Sequence, residues 1–158
     1  MDRRTANDQA ISQIVFDERY AVPLDQAVPL LFSEFPAAAD GVADLVDPMA
    51  TAYLIALLES ICTRELRGFI DPRSETVTGI VIECRHRAPV AKGALLRVSG
   101  WVEDIAENEV TFRVQAQDEQ EQVCEASIRL AILQRARLAQ RIARKREAIE
   151  RRELFLGA

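Results

Sequence analysis

One stretch constrains the fold more than any other. Residues 48–67 read PMATAYLIALLESICTRELR, and from Met49 to Thr63 they carry a single charge, Glu59. Asp47 and Pro48 make a good helix start, Gly68 a plausible stop, and Asp71-Pro72 opens a turn. A helix apolar on nearly all sides must be buried on nearly all sides. At about 1.5 Å per residue it spans roughly 30 Å, so the rest of the chain has to supply a surface of that length.

That surface follows immediately, because the period changes from helix to strand. In residues 76–88 the even positions are Thr78, Ile80, Ile82, Cys84, His86 and Ala88, while Glu83, Arg85 and Arg87 fall on the odd side. Alternation of this kind marks a sheet covered on one face. Residues 94–104 turn Leu96, Val98, Gly100 and Val102 inward. Residues 110–117 do the same with Val110, Phe112, Val114 and Ala116, and residues 122–132 with Cys124, Ala126, Ile128 and Leu130. The short polar breaks at Glu107-Asn108-Glu109 and Asp118–Glu121 predict antiparallel hairpins. Residues 12–22 predict a first strand stopped by Pro23. Asp25 is a candidate cap for a short helical piece through Phe32, and residues 34–47 read as a loop. A long helix lying across a curved antiparallel sheet is an α+β fold of the hotdog type. Such a sheet leaves an edge strand open, and pairing that edge in a dimer would close it.

Composition limits the class. With 158 residues, 49% hydrophobic and 28% charged, the chain reads as one soluble domain, which excludes intrinsic disorder, a collagen-like repeat and a disulfide scaffold. No apolar run reaches membrane-spanning length, and the polar start MDRRTANDQA lacks a secretory apolar segment. Cys62, Cys84 and Cys124 are far apart, without metal-ligand spacing, and read as buried thiols of a cytoplasmic protein. The division expected is a flexible tail over 1–11, the folded domain over 12–133 and a basic helical extension over 134–158. The extension has 8 Arg/Lys against 3 Glu, whereas residues 1–133 have 12 Arg/Lys against 22 Asp/Glu. An acidic body argues against a nucleic-acid-binding domain, and the stripe Leu138, Ile142, Ile149 is too thin for a membrane anchor. A docked solvated helix, a dimer-stabilising helix and an electrostatic surface all remain open for the extension.

Two ionisable residues break the apolar pattern on surfaces that should face each other. Glu59 interrupts the helix, and His86, the only histidine, has the inward parity of its strand. A buried carboxylate costs several kcal/mol unless it is paired, solvated or protonated. Taken singly, Glu59 reads more readily as a residue at a wet helix end or a dimer seam, and His86 as a satisfied core or edge histidine. Together, a Glu and a His in an apolar cleft have the makings of acid–base or nucleophilic chemistry. Thr51, near the helix start, is a third candidate, though a hydroxyl there also serves as a cap. Eight residues of regular helix separate Thr51 from Glu59 by about 12 Å. Either Thr51 lies in an entry that folds back, or a second subunit completes the site.

Ala50-Thr51, Glu59, His86 in its strand, then Pro89 and Gly93 opening the next strand together resemble the fluoroacetyl-CoA thioesterase type of hotdog protein, over roughly residues 15–135. The resemblance implies a homodimeric acyl-CoA thioesterase with Thr51, Glu59 and His86 catalytic and with neither metal nor cofactor; whether it pairs further into a dimer of dimers stays open. It implies that Glu59 attacks the thioester carbonyl or deprotonates a water, that His86 assists proton transfer, and that Thr51 holds the substrate or Glu59. Arg85, Arg87, Lys92 and Gly93 are candidates for holding the substrate, the cations at its phosphates. The stretch before the Thr, Gly41 to Asp47, has no aromatic residue, which favours a generic short or medium acyl chain over fluoroacetyl. The competing reading is a catalytically silent acyl-CoA-binding module acting through a partner. A hydratase or dehydratase is disfavoured because that chemistry pairs an Asp or Glu with a His set close behind it in sequence, an arrangement His86 does not have.

Overall fold

The structure, a computed structural model, describes residues 3–24 and 49–156, with side chains over 7–24 and 49–152. The elements are α1 (Arg3–Ile11), β1 (Val15–Ala21), α2 (Thr51–Arg67), β2 (Glu75–His86), β3 (Leu95–Ala106), β4 (Glu109–Gln117), β5 (Gln122–Gln134) and α3 (Arg135–Leu156). The strands form one antiparallel sheet in the order β1-β3-β4-β5-β2. The two predicted hairpins, β3–β4 and β4–β5, make its centre. The segment between β2 and β3 instead carries the chain from one edge of the sheet to the other side, leaving β1 and β2 as the edges.

α2 packs on β2 and β5, which is the hotdog arrangement. Leu54, Leu58, Ile61, Cys62 and Leu66 are its buried residues. They meet Val98 from β3, Phe112 and Val114 from β4, and Ile128 and Leu130 from β5 in one apolar cluster. Phe112, fully buried, also lies 6.5 Å from Phe16 of β1, centroid to centroid. The inward alternation of β3, β4 and β5 matches the sequence pattern.

Four expectations change. Residues 3–11 form a helix rather than a tail, because Ile11 has an apolar core to enter and is 1% exposed. α2 starts at Thr51, after Met49 has spent its backbone N–H on the Val90 carbonyl at 2.9 Å. α2 is also less enclosed than its composition suggests. Ala52 and Ala56 are exposed, and Ile55, Glu59 and Thr63 only half-buried. Their spacing places them on one flank, so a single chain covers α2 from one side. Finally, a bulge between Gly79 and Val81 shifts the parity of β2. Ile82, Cys84 and His86 stay inward, opposite Ile128, Ala126 and Cys124. Before the bulge Gly79 faces Leu130, so Thr78 and Ile80 lose their inward parity, and Ile80 is 44% exposed. One inserted residue is enough, because side chains alternate with a period of two. The expected Asp25–Phe32 helical piece, the 34–47 loop and the Asp47-Pro48 helix start lie outside the described residues.

Cys62 and Cys124 are buried; Cys84 is half-buried. Loss of solvation pushes the Cys62 and Cys124 thiols up to about 12. The folded chain therefore keeps these protons where an unfolded chain releases them. The associated stability is complete below about pH 9 and is lost as pH rises toward 12, at roughly 1.4 kcal/mol per pH unit for a fully buried thiol such as Cys62. Denaturation midpoints measured from about pH 8 to 11 should fall less steeply for Cys62→Ala than for the wild type. Parallel declines would remove this thiol as a cause.

Candidate functional site

The start of α2 lies beside the end of β2. Ala50, the residue before the helix, makes no side-chain cap. Thr51, in the first turn, sends its hydroxyl elsewhere: Oγ1 and His86 Nδ1 are 2.9 Å apart. The hydroxyl donates to Nδ1 when the ring proton is on Nε2, and accepts when it is on Nδ1. The capping role considered for Thr51 is therefore replaced by a bond across 35 residues of sequence. On the other side of the ring, His86 Nε2 is buried and has no hydrogen-bond partner among the described residues. Leaving such an atom unpaired costs about 1–3 kcal/mol.

Glu59 sits elsewhere. Its carboxylate lies against Gly79: a Cβ built on that glycine would fall inside contact distance of Oε1 and 3.0 Å from Cδ. Thus Gly79 and the adjoining bulge open a niche in β2 for the one charge on the apolar part of α2. No hydrogen bond or ion pair holds the carboxylate among the described residues. Gly79 escaped the sequence reading. A glycine inside an alternating strand is the available signal, since it marks a bulge or a close approach.

Thr51 and His86 are brought together within one chain, and Glu59 is not brought to them. Thr51 belongs to the regular helix, so the fold-back alternative is removed and the axial separation of about 12 Å stands. Along β2, Gly79 and His86 are about 20 Å apart.

The candidate substrate cations are already engaged. Arg87 donates to Glu125 Oε1 at 2.6 Å, and Arg85 lies 3.6 Å from the same oxygen. Lys92 is half-buried in the turn before β3 and has an interaction of its own. Gly93 takes φ 77, and its N–H donates to the Val22 carbonyl at 3.0 Å, so it fastens the chain leaving β1. A left-handed φ is the reason a glycine stands there. The thiols of Cys84 and Cys124, beside His86, are both shifted upward, chiefly by burial, and so are poor nucleophiles at neutral pH. Among the described residues no cluster of His, Cys, Asp and Glu is arranged to hold a metal ion. None of the helices among the described residues is long and apolar enough to cross a membrane.

Known proteins give this geometry a context. A family model described as fluoroacetyl-CoA-specific thioesterase matches residues 34–136. A fluoroacetyl-CoA thioesterase from Streptantibioticus cattleyicolor is 25% identical over 103 residues, covering 65% of this chain and 70% of that protein. A solved structure of the fluoroacetyl-CoA thioesterase superposes with a TM-score of 0.75 at 21% identity, over 84% of this chain and 94% of that one. A hypothetical Thermus thermophilus protein of the thioesterase superfamily gives 0.73 at 22% identity, over 87% and 93%.

The niche is testable by stability alone. Gly79→Ala should destabilise the wild type, because its Cβ meets the Glu59 carboxylate and nothing else nearby. In a Glu59→Ala background the same change should be neutral or stabilising, since alanine restricts the unfolded chain and the clash is gone. Denaturant titrations of the four proteins should give a coupling of about 1 kcal/mol. Additive effects would mean that the two groups do not touch.

Proposed function

The chain belongs to the fluoroacetyl-CoA-specific thioesterase family, and from that premise we propose that it hydrolyses short or medium acyl-CoA thioesters at a Thr51, Glu59 and His86 site built across a homodimer. The observation that carries the reading is a pair of incomplete groups. Among the described residues His86 Nε2 is buried without a partner, and Glu59 carries an unengaged carboxylate whose niche at Gly79 lies about 20 Å along β2 from that ring. A second subunit supplies the missing half of each.

Two features favour that assembly. The flank of α2 that bears Glu59 is open, along Ala52, Ile55, Ala56 and Thr63. The β2 edge is unpaired and exposes Ile80 and Val81 at 44% and 41%. Pairing β2 with its symmetry mate covers this apolar edge and extends the sheet.

The chemistry follows from the residue types. Thr51 fixes the tilt of the His86 ring. Glu59 of the second subunit takes a proton from a water, which adds to the thioester carbonyl. The developing oxyanion lies near the start of α2, where the first backbone N–H groups have no intrahelical partner. Collapse of the adduct breaks the C–S bond, and the thiolate leaves with a proton relayed through His86. Direct attack by the carboxylate, followed by hydrolysis of the anhydride, uses the same three side chains. Residues 41–47 have no aromatic side chain, which supports a generic acyl group over a fluoroacetyl-specific one. Family membership weighs against the silent binding module. The three free cysteines are in keeping with a cytoplasmic enzyme.

Thiol release from a panel of acyl-CoAs tests the activity. Glu59→Ala and His86→Ala should each lose at least a hundredfold while remaining folded. Mixing tests the assembly. Coexpressed Glu59→Ala and His86→Ala chains form heterodimers with one intact site, so about a quarter of wild-type activity should return. No recovery in proven heterodimers would place all three residues in one chain and overturn the cross-subunit site.

A further inference from the structure

We infer that the start of α3 holds the nucleotide end of the CoA thioester bound at the other subunit's His86; the inference rests on the thioesterase dimer proposed above. It begins with a charge problem. A CoA nucleotide carries several phosphate charges and calls for cations that are not already neutralised. Arg85 and Arg87 flank His86, but both share Glu125. Arg137 and Arg141 on α3 have no ion pair among the described residues and are exposed.

Those two arginines border a cleft of about 1390 Å³ at the end of the molecule away from Thr51 and His86. Phe69 and Ile105 give it an apolar wall of the kind an adenine ring packs on. Its acids are distributed unevenly. Asp71 accepts from Arg73 N and Ser74 Oγ, and Glu75 Oε2 accepts from Asp71 N, so both are committed to the turn before β2. Asp8 and Glu107 line the cleft from α1 and the β3–β4 turn. The cations come from α3. The corner is held rigidly, since Arg135 N donates to the Ser74 carbonyl and Arg135 Nε to the Glu75 carbonyl, each at 2.9 Å.

Within one chain this cleft is useless to the site. It adjoins Glu75, the first residue of β2, and His86 is the last, about 36 Å along the strand. Two-fold antiparallel pairing of β2 reverses that relation. The Glu75 end of one strand then lies alongside the His86 end of the other, and the Ser74–Arg135 corner brings α3 with it. The thioester sits at His86, and the long pantetheine arm carries the phosphates outward toward Arg137 and Arg141 of the other subunit. The family match ends at residue 136, so these two arginines belong to this chain's own extension.

The test uses the full-length protein, wild type and the double variant Arg137→Gln/Arg141→Gln, with an acyl-CoA and the matching acyl-pantetheine, which lacks the nucleotide. The double variant should raise KM for the acyl-CoA roughly ten- to a hundredfold with kcat unchanged, and leave the acyl-pantetheine constants at wild-type values. An equal effect on both substrates, or on neither, overturns the inference. Calorimetric binding of CoA itself separates this from the thioesterase reading. If the wild type hydrolyses neither thioester, that reading fails. The subsite still stands if the wild type binds CoA and the double variant binds it at least tenfold more weakly, and falls if the two bind CoA alike or not at all. A heterodimer settles which subunit acts. One chain carries His86→Ala with both arginine changes, and its mate is wild type. A raised KM at the surviving site supports the cross-subunit assignment; a wild-type KM overturns it.

Discussion

Covering the sheet with a helix that has one carboxylate in its apolar stretch is the constraint on which this molecule depends. Five side chains of α2, Leu54, Leu58, Ile61, Cys62 and Leu66, close the core over β2 and β5. Burial of that many large apolar groups supplies several kcal/mol against the entropy of ordering the chain. It leaves no room for a charge unless the sheet gives way locally. The sheet does so at Gly79, where a missing Cβ and an adjacent bulge make space for Glu59. The same bulge turns Ile80 out of the inward ladder and returns His86 to it, so one irregularity serves both polar groups.

The start and the middle of α2 then do different work. At its start, Thr51 is spent on His86 rather than on a cap, and the helix begins on Ala50 with no side chain to satisfy its first N–H groups. That choice sacrifices about 1 kcal/mol of capping energy and leaves donors open beside an imidazole. Further along, Glu59 occupies the open flank, where it is half-buried and, among the described residues, unpaired. A free chain carries these features as small costs in stability, which the proposed dimer would turn into a site. Family membership makes hydrolysis of a thioester the chemistry that fits them.

Charge is sorted along the chain in the same spirit. The body is acidic, and its arginines are largely tied up in pairs such as Arg64 with Glu18 and Arg113 with Glu103. The uncompensated positive charge sits on α3, beyond the last strand and anchored by Arg135 to the turn before β2. Exposed surface pairs of this kind add little stability. Their consequence is electrostatic: they leave α3 as the cationic surface that an anionic substrate meets.

Periodicity determined most of the fold from sequence alone. The charge-free run 49–58, the alternation in β3, β4 and β5, and the two short polar breaks specify a helix on an antiparallel sheet, because each pattern has one cheap way to be buried. Glu59 and His86 were legible for the same reason, as polar residues where apolar ones belong. Tertiary structure alone decided the rest. The bulge at Ile80 is a one-residue shift whose one local signature is Gly79, and parity alone assigned Thr78 and Ile80 to the wrong side. The N-terminal helix docks through Ile11, whose burial depends on a core built by distant segments. Which group answers the Thr51 hydroxyl, and whether Glu59 can reach His86, turn on distances between elements far apart in sequence, and no pattern along the chain encodes those.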